Sequence, residues 1–94
     1  MNSEHPNPHV TRIGGKLLAQ RAADLVQELR EALGDHECVR CDLSSVEAID
    51  VIGVQLLLAA RGSQRAKGRS LQFESPSAPV RELCVALGVW LENG

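Results

Sequence analysis

Aromatic residues are almost absent from this chain of 94 residues, which has one Trp, one Phe and no Tyr. A hydrophobic core must therefore be built mainly from the aliphatic side chains among its 44% of hydrophobic residues. So few rings leave little that could stack on nucleobases. The net charge of −2 also argues against a basic face for phosphates, so we expect no binding to nucleic acid.

Long apolar runs are also missing. The longest nearly apolar stretch, Val54 to Ala60, is far shorter than the ~20 residues that cross a bilayer. The polar N-terminus, MNSEHPNPHV, lacks the apolar segment of a signal peptide. We therefore expect no insertion into a membrane and a cytoplasmic location.

Cysteines are few and odd in number, which disfavours a complete disulfide framework. Cys38 and Cys41 form a CxxC pair in a predicted strand, where residues three apart face opposite sides. A redox motif of this spacing would instead open a helix, and a zinc site would need four ligands, of which only His36 is near. We expect these two and Cys84 to be packing residues, with no metal and no cofactor.

Strand and helix patterns alternate along the chain after a predicted flexible tail at residues 1–9. Residues 10–94 are expected to form a single domain. The predicted strands cover residues 9–17, 37–43 and 70–74. The predicted helices follow Leu17, Gly53 and Ser77 and end at Gly34, Gly68 and Gly88. This order predicts an α/β fold with a largely parallel sheet.

Helix boundaries carry their own signals. Gly34 is predicted to end the first helix as a left-handed C-cap. Ser77 is predicted to cap the third helix, with Pro79 in its first turn. The segment SSVEAID, residues 44–50, is predicted to be a turn and connection into the second helix.

Two stretches, CDLSSVEAIDVIGVQLLLAA and RAKGRSLQFESPSAPVRELCVALGV, together resemble the STAS domain. Asp42-Leu43-Ser44 is similar to the DLS that ends a strand in that family. Ile49-Asp50 and Gly53 are similar to its I-D-x-x-G motif. The resemblance extends over about residues 13–91.

This resemblance implies a STAS-like fold, a small mixed and largely parallel β-sheet with about three to four α-helices packed on it. Family members bind partner proteins and are not usually enzymes. In the antagonists of anti-sigma factors, a Ser or Thr directly after the motif Asp is phosphorylated by a partner kinase. Here Val51 follows Asp50, so that switch has no hydroxyl. Ser44 and Ser45 are the nearest alternative phosphorylation candidates.

The resemblance places the candidate partner-binding surface around the motif. Its residues are Ser44, Ser45, Glu47, Asp50, Val51, Ile52, Gly53, Val54 and Gln55. Asp50 is expected to cap the helix and Gly53 to allow close packing beneath it. For Val51 and Ile52 two alternatives stay open, inward packing or an apolar contact patch.

Catalysis is not expected, because no Gly-rich phosphate loop and no Ser/His/Asp spacing is visible. The first functional hypothesis is an antagonist-like interaction module in bacterial signalling, with an anti-sigma kinase or a chemotaxis-type histidine kinase as its partner. The alternative is a structural STAS subunit of an ABC-type lipid transport complex, bound to the ATPase subunit. Nucleotide binding ranks last, and oligomerisation stays open.

Overall fold

Strands and helices alternate through residues 7–89 and 91, which are the residues that the computed structural model describes. The strands are β1 (His9–Arg12), β2 (Gly15–Leu17), β3 (Cys38–Asp42), β4 (Val46–Ile49) and β5 (Ser70–Glu74). The helices are α1 (Ala22–Leu33), which follows a 3-10 turn at Ala19–Arg21, α2 (Val51–Ala66) and α3 (Ala78–Leu87).

The strands form two sheets in which all pairs are parallel. One sheet has the order β1-β3-β5, and the other pairs β2 with β4. Parallel neighbours need a long connection, usually a helix. Here α1 lies between β1 and β3 in the chain, and α2 lies between β3 and β5. The predicted STAS-like α/β fold with a largely parallel sheet is confirmed.

The strand β4 corrects the prediction that residues 44–50 form only a turn and a connection. Residues 46–49 pair with β2, and the predicted strand at 9–17 is divided between β1 and β2. The division falls at Gly14, where a Cβ would lie only 2.8 Å from the Cβ of Ser45. Gly15 follows with φ +77° and donates its N–H to the Ser45 carbonyl at 3.0 Å. Two adjacent glycines thus let the chain pass close to the start of β4.

Helix ends agree only in part with the sequence signals. Gly88 ends α3 in the left-handed conformation, and Pro79 lies in the first turn of that helix, as predicted. Gly34 ends α1 with φ 50° but ψ −139°, which is not the predicted left-handed helical cap. Ser77 occupies the N-cap of α3, but its Oγ is buried without a hydrogen-bond partner among the described residues. The predicted side-chain cap is therefore wrong.

The core is aliphatic, with Phe73 as its one phenylalanine, 2% exposed. Cys41 and Cys84 are buried in the core, which confirms them as packing residues, and Cys38 is half-buried. Burial raises the pKa of the Cys41 thiol to about 12, so it stays protonated and unreactive. The core residues are Ile13, Leu17, Leu25, Leu29, Leu33, Val39, Cys41, Leu43, Val46, Val54, Leu57, Leu71, Phe73, Val80, Cys84 and Leu91.

The predicted tail lies mostly outside the described residues, since the description starts at residue 7. The strand β1 begins at His9, the last residue of that predicted tail. The His9 ring stacks on the His36 ring at 3.7 Å, which ties the start of β1 to the connection between α1 and β3. Within the described ranges, no helix combines the length and apolar character that crossing a membrane requires.

Candidate functional site

The carboxylate of Asp50 organises the start of α2. Asp50 is the N-cap, and its Oδ1 accepts the N–H of Gly53 at 2.9 Å, as the sequence predicts. Its Oδ2 accepts the N–H of Ala19 at 2.8 Å, so the same side chain joins the helix start to the 3-10 turn after β2. The hydrogen bonds from Gly53 and Ala19 hold the pKa of Asp50 below its usual value of 3.8. The carboxylate is therefore ionised at neutral pH, and each of its two oxygens accepts a backbone N–H.

Gly53 and Val54 lie beneath this helix start and not on its surface. A Cβ on Gly53 would lie 2.3 Å from the Leu17 carbonyl oxygen and 2.9 Å from Ile49 Cγ1. The backbone of α2 thus touches the end of β2, as the prediction of close packing at Gly53 requires. Val54 is only 2% exposed. Their inclusion in the predicted surface needs correction, because both residues are covered by the core.

Val51 and Ile52 lie on the outside of the same helical turn. Val51 is 44% exposed and Ile52 is 38% exposed, so the alternative of inward packing is wrong. Gln55, one turn further along, is also exposed, and the first turn of α2 carries no acidic residue. The structure therefore presents an apolar patch at a helix N-terminus, where polar or acidic side chains are the usual choice.

The two serines and Glu47 do not join this patch. Ser44 and Ser45 are exposed in the turn before β4, whereas Val51 follows the end of β4. At about 3.3 Å per residue, the strand separates the serines from the helix start by roughly 16 Å. Glu47 is exposed but belongs to β4, so its predicted place in a turn is also corrected. The predicted surface is therefore divided between two ends of one strand.

The serine turn is a local structure of its own. Asp42 Oδ1 accepts the N–H of Ser44 at 2.7 Å, which is the geometry of an Asx turn. Hydrogen bonds from the Ser44 side chain and backbone hold the pKa of Asp42 below its usual value. Arg12 also approaches Asp42 at 3.7 Å. The Ser44 backbone is thus held in the turn by the Asp42 carboxylate.

One component of the site had no sequence signal. Ala19 lies 31 positions before Asp50, and only the pairing of β2 with β4 brings the two together. Ala19 itself is exposed, and its hydrogen bond to Asp50 places the 3-10 turn beside the helix start. We call Ala19, Asp50, Val51, Ile52 and Gln55 together the helix-start surface. No group of three or more His, Cys, Asp or Glu side chains in the described ranges is arranged to hold a metal ion.

Comparisons with known proteins agree with this architecture. The family model described as "Mlab, STAS domain" matches residues 1–90. A solved structure titled "Crystal Structure Analysis of Mglu" superposes with a TM-score of 0.61 at 18% sequence identity. That match covers 79% of this chain and only 19% of the matched chain, so the likeness concerns the fold alone. No curated protein matches the chain.

Proposed function

Because the chain belongs to the STAS domain family, whose members generally mediate protein–protein interactions, we propose that it docks a partner protein through the helix-start surface. The observation that carries this proposal is the exposure of Val51 and Ile52 at the first turn of α2. Exposed apolar side chains next to each other are typical of contact surfaces. The module itself is proposed to be non-catalytic.

The helix-start surface is held in place by hydrogen bonds and close packing within the chain. Asp50 receives hydrogen bonds from both Gly53 and Ala19, and Gly53 packs directly on Leu17. A surface held in this way loses little conformational entropy when a partner binds. Rigid presentation of two apolar side chains therefore supports docking at this place.

The proposed docking does not depend on phosphorylation at the motif position. Val51 has no hydroxyl, so no phosphate can form there to repel a partner or to bind the helix N-terminus. We propose an antagonist-like role in bacterial signalling, with an anti-sigma kinase or a chemotaxis-type histidine kinase as partner. Phosphorylation of Ser44 or Ser45 stays a prediction, at a turn that is separate from the helix-start surface.

A second candidate function uses the same surface differently. In a structural subunit of an ABC-type lipid transport complex, the helix-start surface would bind the ATPase subunit permanently. The missing hydroxyl at Val51 favours this candidate as well, because a permanent subunit needs no switch. The identity of the partner distinguishes the two candidates.

The test is affinity capture from the native cells, followed by binding measurements with the partner that mass spectrometry identifies. Val51→Asp should weaken binding at least about tenfold, because it puts a charge into an apolar contact. An acidic residue suits a helix N-terminus, so folding should be preserved. Val85→Asp is the matched control, since Val85 is an apolar residue of α3 that is 65% exposed and lies outside the helix-start surface.

Each result has a definite meaning. A kinase that loses affinity for Val51→Asp and keeps it for Val85→Asp would support the signalling role. A transporter ATPase with the same response would support the structural role. Equal affinity of wild type and Val51→Asp would remove the helix-start surface from the interface and contradict the proposed function.

A further inference from the structure

A cavity lies between α1 and α2, toward the C-terminal part of α2 and away from the helix-start surface. Its volume is ≈ 480 Å³, which is within the range of about 300–1,000 Å³ typical of small-ligand pockets. The apolar part of its wall includes Leu29 and Leu33 from α1 and Leu56 from α2. A ligand that fits this wall must have an apolar part.

One polar side chain in the wall lacks a partner. Gln64 lines the cavity, and the residue is only 3% exposed. Its Nε2 is buried without a hydrogen-bond partner in the described ranges of the chain. A primary amide nitrogen carries two N–H donors, and buried donors in proteins are nearly always paired. An acceptor atom of a ligand would satisfy this donor.

The charges around the cavity have one sign. Arg30 and Lys67 line it and are exposed, and none of its described lining residues carries a carboxylate. Cations are common at helix C-termini because of the helix dipole, so their presence alone would not indicate a site. Together with the unpaired donor of Gln64, they favour an anionic oxygen as the acceptor.

We propose that the cavity between α1 and α2 binds a small amphiphilic carboxylate. The apolar chain of this ligand packs against Leu29, Leu33 and Leu56, and its carboxylate accepts a hydrogen bond from Gln64 Nε2 beside Arg30 and Lys67. A nucleotide fits less well, because no aromatic side chain among the described residues lines the cavity to stack on a base. This site is separate from the helix-start surface, so it can be present or absent whatever partner that surface binds.

The test uses the full chain and two probes of equal chain length and opposite charge, decanoate and decyltrimethylammonium, both below their micelle concentrations. The readout is the side-chain amide signal of Gln64 in proton–nitrogen correlation spectra. Decanoate should shift this signal saturably and should bind at least about tenfold more tightly than the cationic probe, because only an anion pairs with the donor and the cations.

Substitutions separate the amide from the apolar wall. Gln64→Leu should lower the affinity for decanoate at least about tenfold. Because this variant lacks the side-chain amide, its binding is measured from the backbone amide signals around the cavity. Gln72→Leu is the matched control, since Gln72 is exposed on β5 and does not line the cavity, and it should bind decanoate as the wild type does. Lys67→Gln changes an exposed residue, so it tests the charge even where Gln64→Leu does not fold.

Several results would overturn the proposal. One is the absence of any saturable shift with decanoate, and another is equal affinity for the two probes. Unchanged affinity in Gln64→Leu, or in Lys67→Gln where the first variant is unfolded, would also contradict it. Binding of both probes at the helix-start surface alone would show a general apolar contact and would likewise contradict the assignment.

Discussion

The two ends of α2 differ in whether the polar side chain is hydrogen-bonded and whether the apolar side chains are exposed. At its start, Asp50 has backbone donors on both carboxylate oxygens, while Val51 and Ile52 are exposed. Toward its end, the apolar side chains are recessed around a cavity, and the buried amide nitrogen of Gln64 has no hydrogen-bond partner among the described residues. The first arrangement suits a flat protein contact, and the second suits a small ligand with one polar end.

Both arrangements lower the free energy of unfolding by a similar amount. An aliphatic side chain left at the surface forgoes about 1.5–3 kcal/mol of the free energy that burial would contribute. An unpaired buried donor such as Gln64 Nε2 costs about 1–3 kcal/mol. Since domains are stable by only about 5–15 kcal/mol, two such departures in one helix are a substantial fraction. This comparison is why we assign binding roles to both ends.

The largest effect is expected where the helix start touches β2. Gly53→Ala should lower the free energy of unfolding by at least about 3 kcal/mol, at the upper end of overpacking costs. The new Cβ would lie 2.3 Å from the Leu17 carbonyl oxygen, which is backbone and cannot rotate away. The gain of about 1 kcal/mol in helix propensity is too small to compensate. Urea denaturation measures the difference.

Gly62→Ala is the matched control in the same helix. A Cβ at Gly62 has no atom within 4 Å among its described surroundings, so only the propensity gain remains. We expect the free energy of unfolding to rise by about 0.5–1 kcal/mol. Equal effects of the two substitutions would mean that α2 does not rest on β2 at Gly53, and the ordered helix start would lose its basis.

The second-largest effect is expected at Gln64, toward the end of α2. Gln64→Leu should raise the free energy of unfolding by about 1 kcal/mol. It removes a buried donor that no described residue pairs with, and it keeps a similar side-chain volume. Gln55→Leu, at an exposed position, should change it by less than about 0.5 kcal/mol. Thermal denaturation of both variants decides. A clear loss of stability in Gln64→Leu would show that the amide is paired in the free protein.

The third effect depends on pH. In Asp50→Asn only one side-chain oxygen remains for the two N–H groups of Gly53 and Ala19, so the melting temperature at pH 7 should fall by several degrees. The pKa of Asp50 is lowered in the folded chain, so its contribution is present above the unfolded value of 3.8 and is lost as the pH falls through the folded value. Wild type and variant should therefore converge at low pH. A difference that is the same at pH 3 and pH 7 would show that the charge of Asp50 contributes nothing.

Much of this architecture could be read from local patterns. The I-D-x-x-G motif correctly indicated the N-cap role of Asp50, which depends on a neighbour along the chain. It also indicated close packing at Gly53, although the sequence did not name Leu17 as the contact. The strand β4 was missed because its four residues carry only a short alternation, and its pairing with β2 is a long-range contact. The hydrogen bond from Ala19 to Asp50 depends on that same pairing.

The two ends of α2 differ most in what sequence could predict. Exposure of Val51 and Ile52 stayed open between two alternatives, since an apolar residue in a first helical turn can face either way. The sequence did not indicate the cavity, because Leu56 and Ala59 fit a fully buried helix face as well as they fit a cavity wall. Which side of a wide apolar stripe is left uncovered depends on how closely α1 and α2 approach, and this is a property of packing.

The smallest effect on stability is expected at the centre of the proposed contact. Val51→Ser should change the free energy of unfolding by less than about 0.5 kcal/mol, because Val51 is 44% exposed and Ser is accepted in a first helical turn. The same substitution at Val54, which is 2% exposed, should cost more than about 2 kcal/mol by burying a hydroxyl and leaving a cavity. Urea denaturation of the two variants measures this contrast. If Val51→Ser destabilises the chain as strongly as Val54→Ser, the apolar residue at the helix start serves folding, and the reason for assigning it to a partner disappears.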